Sequence, residues 1–119
     1  IYATKAALKE GIVPGGGVAL LNASQEITTN TVGENVLMES IRAPFDTILE
    51  NAGLQQVGPR PAKGLGVDVV TGKEVDMIKK GIIDPVLVTK SALKNAVSVV
   101  NTIISADCVI SNIRMNEGN

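Results

Sequence analysis

Histidine and tryptophan are absent from this 119-residue chain, and its aromatic residues are Tyr2 and Phe45 alone. Without histidine, the usual general base and the commonest transition-metal ligand are both missing. Cys108 is the single cysteine, so no internal disulfide can form and a reducing compartment is expected. That thiol has no evident base and reads as a small buried hydrophobe. No HExxH, GxSxG or GxxxxGK[ST] pattern occurs. The carboxylates are scattered, so no metal site is expected. These absences together imply no catalytic residues complete in this chain. A dominant charge is lacking too: 11 basic against 12 acidic residues give a net −1. The longest basic cluster, Lys79-Lys80, reads as a solvated helix end, which argues against nucleic acid as the main partner. No apolar run reaches the ~18 residues of a membrane-spanning helix, and no signal-peptide pattern is visible.

What is present is aliphatic. Hydrophobic residues make up 45% of the chain and the mean hydropathy is +0.24, too high for a disordered segment. A core of Ala, Val, Ile and Leu suits closely packed helices, and at this length it reads as one domain or part of one. A helical pattern is already running at Ile1, so the expectation is a piece of something longer.

The most informative stretch is Gly15-Gly16-Gly17, within Glu10-Gly11-Ile12-Val13-Pro14-Gly15-Gly16-Gly17-Val18-Ala19-Leu20. Each glycine costs about 0.5–1 kcal/mol relative to alanine in regular structure. A tight turn between helices, a close packing contact, or a ligand approaching bare amides at a helix N-terminus would each offset that cost.

Residues 1–10 read as the end of a helix stopped by Gly11, and residues 17–27 as a second helix. After a polar loop at 28–31, a longer helix is expected over about 33–52. Leu37, Ile41, Phe45, Ile48, Leu49 and Ala52 recur there at three- and four-residue steps. Pro44 should bend or break that helix, and Gly53 should cap it. Residues 54–64 read as irregular and residues 65–70 as a strand. Thr71-Gly72-Lys73 reads as a turn and Glu74–Lys80 as a short helix. Asp84-Pro85 has the form of an N-cap followed by a first-turn proline, starting a helix to about 105. Residues 108–114 look strand-like and lead into a polar tail. Two isolated strands carry unpaired edges, so they must pair with each other, with the rest of the protein, or with another subunit. Asp84 is either a plain N-cap or an acceptor for sugar hydroxyls. Asp68, in an apolar strand, either faces solvent by alternation or serves a site. Lys73 and Glu74 read as solvated.

The order of three segments resembles a known family. EGIVPGGGVALL, then IRAPF in a long helix, then GVDVVTGKEVDMIKKGIIDPVLVTKSALKNAVSV is similar to the C-terminal part of group I chaperonins, the GroEL-like family. The likeness covers nearly the whole chain. The fold it implies is mainly α: the C-terminal half of an equatorial ATPase domain, helical with a few short strands. Residues 1–10 would be the end of the intermediate domain and residues 11–119 the C-terminal part of the equatorial domain.

The resemblance also implies a function, that of an ATP-dependent folding machine whose full-length form hydrolyses ATP. Gly16 would lie against the nucleotide, Asp68, Val69 and Val70 on the adenine side, and Asp84 at the ribose. The family's phosphate loop, its magnesium-binding Asp and the Asp that supports water attack are not in this sequence, so the segment alone is expected to be inactive. Mg2+ would bind in the full-length protein through residues outside it. The implied partners are a homo-oligomeric ring, unfolded proteins held by an apical domain, and a lid-like co-chaperonin. Residues 107–114 would pair with a neighbouring subunit. The wording VPGGGVALL and KKGIIDP resembles mitochondrial relatives, implying the mitochondrial matrix or another organelle, with the bacterial cytoplasm as the alternative.

Some positions depart from the family pattern. The loops at 28–31 and 54–64 are short, and Asp68-Val69 stands where Asn-Ala is commonest. These departures motivate a second reading, a chaperonin-derived interaction module without ATP handling. A third, a stand-alone nucleotide-binding domain, would need a phosphate loop of its own.

Overall fold

The computed structural model describes residues 1–55 and 60–117, with side chains to residue 106. Part of the 54–64 segment, the last residues of the tail and the Cys108 side chain lie outside the described residues.

Helix α1 (Tyr2–Glu10) ends at Gly11, which takes φ +90° while its N–H closes on the Ala7 carbonyl at 2.9 Å. Strand β1 (Ile12–Pro14) follows, and then the three glycines turn the chain into α2 (Val18–Glu26). Gly17 is the N-cap of α2 in the left-handed region. The expected helix–helix turn is therefore a strand plus a turn. α3 (Val32–Ser40) starts at a capping box: Glu34 N–H donates to Thr31 Oγ1 at 3.2 Å, and the Glu34 carboxylate accepts from the Thr31 and Asn30 amides. The expected long helix breaks at Ile41-Arg42 and resumes as α4 (Ala43–Asn51), with Pro44 in its first turn. Proline is accommodated there because its missing N–H lacks a helical partner anyway.

Strand β2 (Leu65–Asp68) pairs antiparallel with β3 (Lys73–Asp76), so part of the expected 74–80 helix is strand. Only α5 (Met77–Lys80) is helical, capped by Asp76, whose carboxylate accepts from Lys79 N–H at 3.0 Å. Strand β4 (Ile83–Pro85) pairs antiparallel with β1, aligning Ile12 with Pro85, Val13 with Asp84 and Pro14 with Ile83. Gly15 N–H to the Ile82 carbonyl at 2.9 Å and Val86 N–H to the Gly11 carbonyl at 3.1 Å extend this ladder at both ends. α6 (Val86–Glu117) closes the chain. It contradicts the expected strand over 108–114, whose backbone is helical. Val109, Ile110 and Ile113 are β-branched, but they continue the apolar pattern of the preceding turns, and an established helix adds residues at little cost. The ring-pairing strand expected at 107–114 falls with it.

The core is small and central: Val18 and Leu21 from α2, Phe45 and Leu49 from α4, and Met77 from α5. Surface ties join segments apart in sequence, Lys63 with Glu26 among them. Lys90 Nζ meets Glu10 Oε2 at 3.0 Å, joining α6 to α1, and Arg60 reaches Asp46 with two 3.0 Å hydrogen bonds. Much of α6 lacks cover, with Val88, Val97, Val100, Ile103 and Ile104 exposed. The total accessible area, 8558 Å², exceeds the about 6,100 Å² of a compact monomer of this mass.

The glycines of the turn are sterically required. A Cβ on Gly17 would lie 2.6 Å from the Phe45 nitrogen, and its φ of +78° is strained for any side chain. Gly17→Ala is expected to lower the local stability of α2 by about 2–4 kcal/mol. Gly33 sits in α3 with open space around it, so Gly33→Ala should be neutral or stabilising by about 0.5 kcal/mol. Native-state hydrogen exchange of helix amides in the full-length protein checks both.

Candidate functional site

Three sequence-distant segments meet around Met77. Its side chain is fully buried, and its Cε lies 2.8 Å from where a Gly16 Cβ would stand. Its Cγ and Sδ stand at the same distance from a Cβ on Gly66, and Val18 Cγ2 crowds that position as well. The Met77 carbonyl accepts from Ile82 N–H at 2.9 Å, so the residue also sets the path into β4. Gly15 is pressed against the Ile82–Ile83 backbone, where a Cβ would sit at 3.2 Å. The thioether thus fills the space left by two missing side chains and joins the glycine turn, the β2–β3 hairpin and β4. Nothing in the periodicity of the sequence singles out Met77. The available signal was the occurrence of bare glycines at two separated places, the 15–17 run and Gly66.

The expected site residues divide into two groups. Gly16 and Asp84 belong to one strand pair and the turn that follows it: β4 sets Asp84 opposite Val13, and the glycine turn leaves β1 at the Ile82 end of the ladder. Asp84 is a strand residue rather than an N-cap, because the helix starts only at Val86. Its residue is exposed, and among the described residues no hydrogen bond or ion pair engages its carboxylate. Gly16 takes φ +67° at the tip of the turn.

Val69 and Val70 lie in the tip of the β2–β3 hairpin, just past the strand expected to contain them. Both are exposed, Val70 to 91%. Asp68 behaves differently. Alternation predicted a solvent-facing option, but the residue is buried to 5% exposure. Its Oδ1 accepts from Val70 N–H at 3.0 Å, and its backbone carbonyl accepts from Thr71 and Gly72 N–H at 3.2 and 2.7 Å. This is an Asx-type closure of the turn. Lys80 Nζ stands 4.0 Å from Asp68 Oδ2, so the supposedly plain helix-end lysine faces a buried carboxylate. Lys73 and Glu74 are exposed, as expected.

A nucleoside makes two demands on such a site: an apolar surface for the base and acceptors for sugar hydroxyls. Val69 and Val70 supply uncommitted apolar surface, and Asp84 an uncommitted carboxylate. At Gly16 the side-chain position is taken by Met77 Cε, so only its backbone is left to meet a ligand. Val69, Val70 and Asp84 have the chemistry that such a ligand requires. The Asp68 side chain does not fit a direct base contact, because it is turned inward and engaged. Two described cavities lie elsewhere: one of about 480 Å³ lined by Asp46, Leu49, Glu50 and Leu54, and one of about 330 Å³ lined by Ser24, Thr29, Asn35 and Arg42. In the second, Arg42 Nε donates to the buried Ser24 hydroxyl at 3.0 Å. Among the described residues no cluster of three or more potential metal ligands occurs.

A mainly helical chain with two small antiparallel strand pairs, folded around a glycine turn, defines the class. The sequence matches the TCP-1/cpn60 chaperonin family over residues 1–114, and the chain belongs to that family. It is also similar to a group III chaperonin whose crystal structure was solved in the open state, at 30% identity with a TM-score of 0.70. That match covers 84% of this chain and 24% of the other, so this chain spans about a quarter of that protein's length. The fold is that of a chaperonin equatorial-domain segment.

Asp68 and Asp84 should separate cleanly in stability measurements. Asp68→Ala leaves the Val70 amide without its acceptor and is expected to cost about 1–2 kcal/mol locally. Asp84→Ala removes an exposed carboxylate and should change stability by no more than about 0.5 kcal/mol. Amide exchange at the hairpin and at β4 reads the difference.

Proposed function

We propose that this chain supplies the base and ribose side of an ATP site in a protein-folding chaperonin subunit. Gly16 would lie against the nucleotide, Val69 and Val70 against adenine, and Asp84 at the ribose hydroxyls. The observation that carries this reading is the joining of the glycine turn, β4 and the hairpin through Met77 and the β1–β4 ladder. Those are the three segments in which the family resemblance expects nucleotide contacts. Asp68 enters as the residue that closes the turn. ATP, when bound, supplies differential binding energy to two states of the subunit. This chain's residues orient the nucleoside, and the phosphates with their Mg2+ are handled by residues outside this sequence.

The motif run from EGIVPGGG to IIDP supports the group I branch of the family. On this reading residues 1–10 end the intermediate domain and residues 11–119 belong to the equatorial domain. The full-length protein would be an ATPase working as a homo-oligomeric ring on unfolded proteins, with a co-chaperonin. The compartment would be the mitochondrial matrix or another organelle, or the bacterial cytoplasm. The uncovered apolar face of α6 agrees with burial against further parts of such a subunit.

The inward Asp68 carboxylate favours one second reading, a chaperonin-derived module without ATP handling. ATP binding by the full-length protein separates the two. Asp84→Ala is expected to weaken ATP binding about tenfold or more, as befits a lost sugar contact of about 1.4 kcal/mol. Titration calorimetry that finds ATP bound equally well by wild type and variant would remove Asp84 from the site. Wild type without any ATP-dependent melting shift would favour the second reading. Residues 1–119 expressed alone should show no ATP turnover and should self-associate through the exposed face of α6. Turnover above that of the Asp84→Ala control, or a compact monomer in sedimentation, would contradict this.

A further inference from the structure

The Asp68 carboxylate is buried, with a side-chain exposure of 8%, and a buried carboxylate is costly unless it is paired. It has two partners. The Val70 amide donates to Oδ1 at 3.0 Å, and Lys80 Nζ stands 4.0 Å from Oδ2. Lys80 is the only cation within 4.0 Å of it among the described residues. The lysine comes from α5, the same four-residue helix that places Met77 in the core. One face of α5 therefore anchors the base of the hairpin through Met77 against Gly66, while Lys80 approaches its tip through Asp68. The residues beyond Asp68, Val69 and Val70, are the exposed apolar pair.

We propose that Lys80 is a positioning residue for the nucleotide base. Its ammonium holds the Asp68 carboxylate inward, and that carboxylate fixes the Val70 amide. The turn then presents Val69 and Val70 as a preset apolar surface. Lys80 touches no part of the nucleotide in this arrangement and acts entirely through Asp68. The inference rests on the ATP reading above. It predicts that loss of the lysine charge affects the base side alone, so that KM rises while kcat is kept, and adenosine is weakened as much as ATP.

The carboxylate's need for a cation yields a compensation test. In Lys80→Met the carboxylate is left without its countercharge, and the turn loosens. In the double variant Asp68→Asn with Lys80→Met, the side chain at 68 is neutral yet still accepts from the Val70 amide, so no cation is required. The measurement uses the full-length protein, with ATP and adenosine affinities from calorimetry and amide exchange at Val70. Lys80→Met is expected to weaken both ligands roughly three- to tenfold and to speed exchange at Val70. Lys80→Arg should restore most of the affinity, and the double variant should bind more tightly than Lys80→Met alone. Wild-type affinity for adenosine in Lys80→Met would overturn the inference while leaving the ATP reading intact. A loss that Asp68→Asn fails to relieve would do the same. If wild type binds neither ATP nor adenosine, the ATP reading falls and takes the inference with it, even if exchange at Val70 still responds to Lys80.

Discussion

The close packing of Met77 against two bare glycines is the contact on which the arrangement depends. At Gly16 and at Gly66 there is no room for even a methyl group beside the thioether. Interiors are packed densely enough that such contacts leave no slack. An unbranched, polarizable side chain suits a gap of this irregular shape. Because Met77 also sets the backbone entry to β4, a single residue determines how the glycine turn, the hairpin and the strand carrying Asp84 lie relative to one another. Phe45 performs the equivalent service on the other side, where its backbone occupies the space that a Gly17 side chain would need.

This explains the expense of the triple glycine without appeal to a ligand. All three positions are crowded by protein: the Ile82–Ile83 backbone at Gly15, Met77 at Gly16 and Phe45 at Gly17. The packing reading and the nucleotide reading are compatible, because packing takes up the side-chain positions of the glycines. What the glycines do directly is structural. Any effect on a nucleotide follows from the assembly they permit.

Much of the helical framework was legible in the chain. Gly11, Pro44 and Gly53 punctuate the pattern where α1 and α4 begin or end, since each acts through local backbone chemistry. The strands were less legible. β1 and β4 are three residues each, contain a proline apiece and have no room for alternation to show. Their existence depends on partners some 70 positions apart, which no local window contains. Residues 108–114 misled for the converse reason: a short β-branched run reads as strand in isolation, but it continues a helix already many turns long. Gly16, Asp68, Val69, Val70 and Asp84 were singled out by family resemblance more than by local signals. The inward turn of Asp68 was not legible, because side-chain direction at a hairpin end is set by the turn and by Lys80 rather than by alternation.

The claim that Met77 and the glycines act as one packing unit is tested most directly at Gly66. Its backbone conformation is open to any residue, so the effect of a side chain there is steric alone. The measurement is a double-mutant cycle of Gly66→Ala and Met77→Ala, read as local stability at the α5 and hairpin amides by native-state hydrogen exchange. Gly66→Ala should cost about 2–3 kcal/mol with methionine at 77. With alanine there the cost should fall by about 1 kcal/mol, since the clash with the thioether is relieved while the one with Val18 Cγ2 remains. Additive costs, or a Gly66→Ala change without effect, would contradict the account.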